Sequence, residues 1–201
     1  MPKKTDAAAT SRAEHIASLD WDALEADIAQ CTACGLCKTR NKTVPGAGAR
    51  DANWMIVGEA PGADEDEQGL PFVGRSGKLL DAMLRATNHS REKNVFIANT
   101  LKCRPPDNRN PAPEELAACA PYLHRQIALM QPKMLLTVGK FAAQTIAGSE
   151  EAIGAMRGKT YHYQNIPMRV TYHPSYLLRA PLEKAKAWDD LLAAMKMFPA
   201  A

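Results

Sequence analysis

A chain of 201 residues is long enough for one domain with a real core, and 46% hydrophobic with 23% charged residues is the composition of a folded globular protein. The formal net charge of +3 allows a local basic footprint for nucleic acid without requiring one. No apolar run is long enough to cross a membrane, no apolar stretch follows Lys3 and Lys4 as a secretory signal would need, and five cysteines, an odd count, argue against a secreted disulfide framework, so a reducing, cytoplasmic setting is expected.

In chain order, residues 1 to about 17 are rich in Ala, Ser and Thr and read as a frayed tail, leaving 18–201 as a single domain. After Asp20, residues Trp21, Leu24 and Ile28 recur at helical spacing and lead to Cys31-Thr-Ala-Cys34-Gly-Leu-Cys37. Pro45, Gly46 and Gly48 make 41–50 a loop. Trp54-Met55-Ile56-Val57 is a buried strand. Beyond it the chain turns at Gly58, Pro61 and Gly62, with a carboxylate at Glu59, and then runs through Asp64, Glu65, Asp66 and Glu67, an acidic run that by default reads as mostly solvated surface. Gly69, Pro71, Phe72 and Gly74 form a second rigid turn, and Ser76 is placed to cap a helix through Leu79, Leu80 and Met83. A plain strand-to-helix loop runs to about 2–6 residues. This one is much longer and holds an aromatic ring between rigid residues, which points to function.

Asn94-Val-Phe-Ile-Ala-Asn99 is a second buried strand, ending in a proline-rich loop from Arg104 to Pro113. A helix from Pro113 carries Leu116, Cys119, Leu123 and Ile127, with Glu114 and Glu115 at its positive end. Met134 to Val138 is the third strand, and Gly139 turns into a helix over 140–147. A short strand pair about Asn165 follows, and its second arm, Met168 to Tyr172, delivers His173. A final helix spans about 181–198. Strands alternating with helices predict a three-layer α/β/α fold around a mainly parallel sheet of about four strands. Glu59, Asn99 and His173 each follow a strand, at the carboxyl edge where such sheets form ligand crevices.

The cysteines fall into a close pair, Cys31 and Cys34, and a distant pair, Cys103 and Cys119. Four thiolates from a short loop and a later loop-plus-helix suit one metal centre, whereas isolated cysteines are more often buried apolar residues. Zinc and a [4Fe-4S] cluster both accept four thiolates, and spacing alone does not choose between them. Cys37 extends the first pair into a ferredoxin-like run, so spacing does not exclude it as a ligand either.

Residues 58–81 resemble the first motif of the uracil-DNA glycosylase superfamily in its family 4 form: Gly-Glu-Ala/Gly-Pro-Gly, acidic residues, then Gly-x-Pro-Phe-Val-Gly. Asn99-Thr-Leu-Lys-Cys-Arg-Pro-Pro-Asp-Asn-Arg109, Cys119 with its flanks, and His173-Pro-Ser-Tyr-Leu-Leu-Arg179 resemble later stretches of the same family. The resemblance covers residue 20 or so to the C-terminus. It implies a glycosylase-like fold and a monomeric DNA-repair enzyme that takes uracil-containing DNA, single- or double-stranded, and leaves free uracil and an abasic site. It also implies a [4Fe-4S] cluster on Cys31, Cys34, Cys103 and Cys119, with Cys37 spare.

Removing uracil requires flipping its nucleotide and breaking the C1′–N1 bond while the sugar gains cationic character and the base leaves as an anion. Such a pocket needs a stacking face, an edge reader, an anion stabiliser and a group for the sugar and water. The resemblance places Gly58, Glu59, Ala60, Glu65, Phe72, Asn99 and His173 at the base. Phe72 offers the face, and Asn99 an amide matched to uracil O4 and N3–H and mismatched to cytosine. His173 offers a donor to O2, and Glu59 a carboxylate for water and sugar. Glu65 falls beside C5, where it would exclude the methyl group of thymine. Leu177 resembles the wedge that fills the gap left by a flipped base, with Ser175 and Arg179 toward the DNA and Arg104 and Arg109 as further basic candidates. A non-catalytic iron–sulfur nucleic-acid-binding module and a ferredoxin-like electron carrier are the competing readings. Glu59, Asn99 and His173 together favour the enzyme. No Lys-Arg-Arg-Ile-His insertion follows the first motif, so turnover is expected rather than covalent trapping of the sugar.

Overall fold

Four β-rich apolar runs lie side by side and parallel, and they set the rest of the architecture. The computed structural model describes residues 4–198, with side chains from residue 11 onward. In chain order it forms α1 (Lys4–Ser18), α2 (Trp21–Gln30), β1 (Ala47–Gly48), β2 (Trp54–Gly58), α3 (Ala63–Gln68), α4 (Arg75–Arg85) and β3 (Val95–Asn99). There follow α5 (Pro113–Met130), β4 (Met134–Val138), α6 (Lys140–Ala147), α7 (Ile153–Met156), β5 (Tyr161–Tyr163), β6 (Ile166–Thr171), α8 (Pro174–Arg179) and α9 (Lys184–Met197). The sheet order is β1-β3-β2-β4-β6-β5. The expected core of four parallel strands is β3-β2-β4-β6. The sheet has six strands rather than four, because β1 and β5 add antiparallel edges.

Strand pleating sends successive side chains to opposite faces. Met55, Val57, Phe96, Ala98, Leu135, Met168 and Val170 pack on one side against Leu123 and Ile127 of α5 and Ala142 and Ala143 of α6. Trp54, Ile56, Val95, Ile97, Met134 and Leu136 pack on the other against Leu80 and Leu84 of α4 and Leu191 and Ala194 of α9. Every residue of β2, β3 and β4 is buried, as parallel strands covered on both faces must be.

Four local expectations are corrected. The segment expected to fray is helix α1 over Lys4–Ser18, and its Ile16 packs with Leu24, Ile28 and Tyr122; residues 1–3 lie outside the described residues. Ser76 lies inside α4, whose cap is Gly74. The acidic run forms α3, and Asp66 is buried in it beside Glu65, the residue already expected at the base. The last helix begins at Lys184, after a separate turn over Pro181–Glu183.

Candidate active site

The carboxyl ends of β2, β3, β4 and β6 open onto a cavity of about 570 Å³. Glu59, Ala60, Glu65, Phe72, Asn99, His173, Ser175 and Arg179 line it, so the structure brings these eight sequence-predicted residues together. Gly58 contributes backbone. A Cβ there would come within 2.7 Å of the Phe72 ring and would also collide with the Asn99 side chain, so only glycine lets the ring and the amide meet over the strand end. The chain ends of β2 and β3 are laced together: Gly58 O accepts from Thr100 N at 3.0 Å, and Glu59 O accepts from Leu101 N at 3.0 Å and from the Thr100 hydroxyl at 2.6 Å.

Phe72 adopts φ 53°, a backbone region that costs a bulky residue energy unless its surroundings hold it there. Arg91 supplies part of that hold. Its guanidinium donates to Pro71 O and Phe72 O, both at 2.9 Å, and is anchored on Asp81 at 2.7 Å. Glu65 holds the same turn from the opposite side. One carboxylate oxygen accepts from Val73 N and Gly74 N at 2.9 and 3.0 Å, and the other from Gly62 N at 3.1 Å. The carboxylate therefore reaches the cavity wall fixed in place, with backbone amides on both oxygens.

Asn99 is 1% exposed, and its Oδ1 has no hydrogen-bond partner. A buried acceptor left open is uncommon and marks a place for a donor from a ligand. The His173 ring lies 5.6 Å from the Phe72 ring, centre to centre, at 31°. Its Nδ1 accepts the backbone N–H of Ser175 at 3.1 Å, which puts the ring proton on Nε2. The Ser175 hydroxyl lies 2.8 Å from the same nitrogen. Burial, with Arg179 nearby, pulls the His173 pKa down to about 4, so the ring is neutral at physiological pH. Burial pushes Glu59 up to about 7.

At the rim, packing and pairing bear on the expected DNA contacts. Leu177, the expected wedge, is 1% exposed and lies on the packed side of α8. The exposed apolar side chains of that helix are Tyr176 and Leu178, at 36% and 38%. Arg109 is already engaged with Glu115 through two contacts of 2.6 and 2.9 Å, and Arg104 donates to Asn108. Phe141 and Arg91 were not legible as site residues. Phe141 lines the cavity from the start of α6, and Arg91 acts from a loop with no motif of its own.

A family model for the uracil DNA glycosylase superfamily matches residues 45–192. The chain belongs to that superfamily. Among its glycosylase relatives, a type-4 uracil-DNA glycosylase of Pyrobaculum aerophilum is 40% identical over 86% of this chain and 92% of its own length. One of Archaeoglobus fulgidus is 42% identical over 80% of this chain and 84% of its own. One of Thermotoga maritima is 43% identical over 76% and 80%.

This glycosylase-superfamily chain has a second pocket, where all five cysteines gather with Arg40, Lys102 and Tyr122. Arg12 donates to Cys31 Sγ at 3.6 Å, Arg40 to Cys103 Sγ at 3.2 Å, and the Lys102 amide to Cys119 Sγ at 3.3 Å. Among the described residues no three His, Cys, Asp or Glu side chains are grouped so as to hold one metal ion. The cysteines stand around a space rather than on a point. Cys37 shares that lining, so its place beside the pair is structural fact as well as sequence spacing. No described helix is long and apolar enough to cross a membrane.

Proposed function

We propose that the chain hydrolyses uracil from DNA and leaves an abasic site. The observation that carries this is the open Oδ1 of Asn99, buried beside the Phe72 ring in a cavity that His173 also lines. A flipped uracil stacks on Phe72 and gives its N3–H to Asn99 Oδ1, while its O4 takes an N–H from the same amide. Cytosine has no hydrogen on N3 and would leave that acceptor desolvated and unpaired, the kind of mismatch that discriminates most strongly. The fixed Glu65 carboxylate stands at C5 and excludes the thymine methyl group.

As the C1′–N1 bond breaks, its electron pair goes to the base and charge gathers at O2. The Nε2–H of neutral His173 donates to that oxygen without transferring its proton. Glu59 orients a water toward C1′, offsets the positive sugar and takes the proton as the water adds. A pKa near 7 leaves it able to act as either acid or base at physiological pH. Leu178, with Tyr176, takes the wedge role, and Ser175 and Arg179 face the DNA strand.

The cysteine pocket fits a [4Fe-4S] cluster held by Cys31, Cys34, Cys103 and Cys119. Four sulfurs surround one space, and three of them receive N–H donors, an environment that suits ligated thiolates. Such a cluster would fasten the segment after α2, the loop after β3 and α5 to one another. Anaerobically purified protein should be brown, with equal iron and sulfide, and Cys37→Ala should keep its colour. Colourless protein carrying zinc overturns the cluster.

Incubation with a uracil-containing oligonucleotide, followed by alkali, tests the activity. Free uracil and alkali-labile breaks at the uracil position are expected. Binding without base release would make the chain a non-catalytic nucleic-acid module.

A further inference from the structure

Lys102 is one of the largest fully buried side chains in the molecule, with 1% of its surface exposed. Burying an amino group is costly unless acceptors meet it. Two do: its Nζ donates to Asn99 O at 2.8 Å and to Gln126 Oε1 at 2.7 Å. Among the described residues no carboxylate lies within ion-pair distance of it. Gln126 is itself tethered, since its amide nitrogen donates to Pro45 O at 2.7 Å. The Lys102 backbone reaches the other way. Its N–H donates to Cys119 Sγ, and its carbonyl accepts from Val44 N at 2.8 Å. Lys102 thus touches the strand end that carries Asn99, helix α5, the loop at 44–45 and the cysteine pocket, and its neighbour in sequence is Cys103.

We infer that Lys102 is a positioning residue for base recognition: it links the cysteine pocket to Asn99 by gripping the Asn99 carbonyl through its side chain and Cys119 through its amide. Asn99 is the last residue of β3: the residues after it are tied to β2, but β1 pairs only with Phe96 and Ile97, so on that edge it is Lys102 that grips the Asn99 carbonyl. A tilt there swings the amide that reads the base. The link therefore acts on how tightly and selectively uracil is held, not on how fast the bond breaks once it is held. This rests on Asn99 being the edge reader, and the parent enzyme tests that reading first: if the parent releases no uracil, the proposed function fails before any variant is made.

The test uses the full chain as purified with its metal complement. Lys102→Met keeps the stem and removes the donor. Single-turnover cleavage with enzyme in excess separates the half-saturating enzyme concentration from the saturated rate. Losing a donor of this kind should raise the half-saturating concentration and the inhibition constant of free uracil together, by roughly ten-fold or more. The saturated rate should stay within about three-fold, discrimination against cytosine should narrow, and iron content should be unchanged. Lys102→Gln, which still carries an N–H, should recover part of the loss. Parent-like uracil inhibition in folded Lys102→Met, or a loss confined to the saturated rate, overturns the inference. Should Lys102→Met fail to fold, Gln126→Met decides. It removes the second acceptor and the Pro45 tether, and must weaken free-uracil inhibition without slowing the saturated rate; parent-like values there overturn the inference.

Discussion

The floor and the rim of the cavity are built differently. On the floor, each recognised group is held by hydrogen bonds: Glu65 by three backbone amides, the Phe72 carbonyl by the Arg91 guanidinium, and His173 by the Ser175 amide. Asn99 and Phe72 are nearly inaccessible to water. On the rim, Tyr176 and Leu178 stand partly exposed on a single short helix, and Arg109 is tied to the first turn of α5 through Glu115. Rigid, desolvated groups select among bases that differ by one hydrogen-bond pattern or one methyl. Exposed groups meet a polyanion whose contacts are interchangeable along its length. Changes to the floor should therefore alter chemistry and base choice, and changes to the rim should alter dependence on DNA form and salt.

The sharpest break in that division comes from Glu59. Glu59→Gln should lose on the order of 10²–10⁴ in rate. In the parent, kcat/KM should rise with pH through about 7 as Glu59 ionises. His173, with its pKa near 4, should add no second limb in that range. The variant should lose the limb at 7; a parent-like pH profile would remove Glu59 from the chemistry. His173→Ala follows, with an expected loss of roughly 10²–10³, equal on single- and double-stranded substrates because it removes a donor used only after the base is seated. An effect on duplex alone would move His173 to the rim.

Two neighbouring leucines sharpen the comparison further. Leu177→Ala should lower stability by about 2–5 kcal/mol, as for other buried leucines, and calorimetry should show a lower Tm. Leu178→Ala should change stability by no more than about 0.5 kcal/mol, yet slow cleavage of duplex more than of single strand. Reversed results would restore Leu177 as the wedge. The smallest effect is expected at Arg179. Arg179→Gln should flatten the slope of log affinity against log salt by about 0.7–0.9, with uracil-to-cytosine discrimination unchanged. A change in discrimination would bring Arg179 onto the floor.

The parallel core was legible because β2, β3 and β4 are continuous apolar runs, β2 running into Glu59 and β3 ending at Asn99. The edges were not: β1 is two residues of a Gly-rich loop, Ala47 and Gly48, paired only because β3 lies beside it. The acidic segment hid α3, since the burial of Glu65 and Asp66 depends on amides supplied from elsewhere, by Val73 and Gly74 and by Asn41. Helical phase underlies the wedge proposed above. A motif fixes which residues share α8, but only the packing of that helix fixes that Leu177 faces inward and Leu178 outward. Arg91 left no local trace, because its role is to two carbonyls about twenty residues earlier.

The floor also has an order of assembly. Phe72 and Asn99 come from β2 and β3 and the turns that follow them, made early in synthesis, whereas His173 follows β6 and must wait for that strand to dock on β4. A chain made only as far as β4 holds the residues that face and read the base but lacks the donor that drives the bond apart. With the roles proposed above, the donor for the departing base is the last of the three to be made. A partly folded copy on a chromosome would then be an inert obstacle rather than a source of abasic sites.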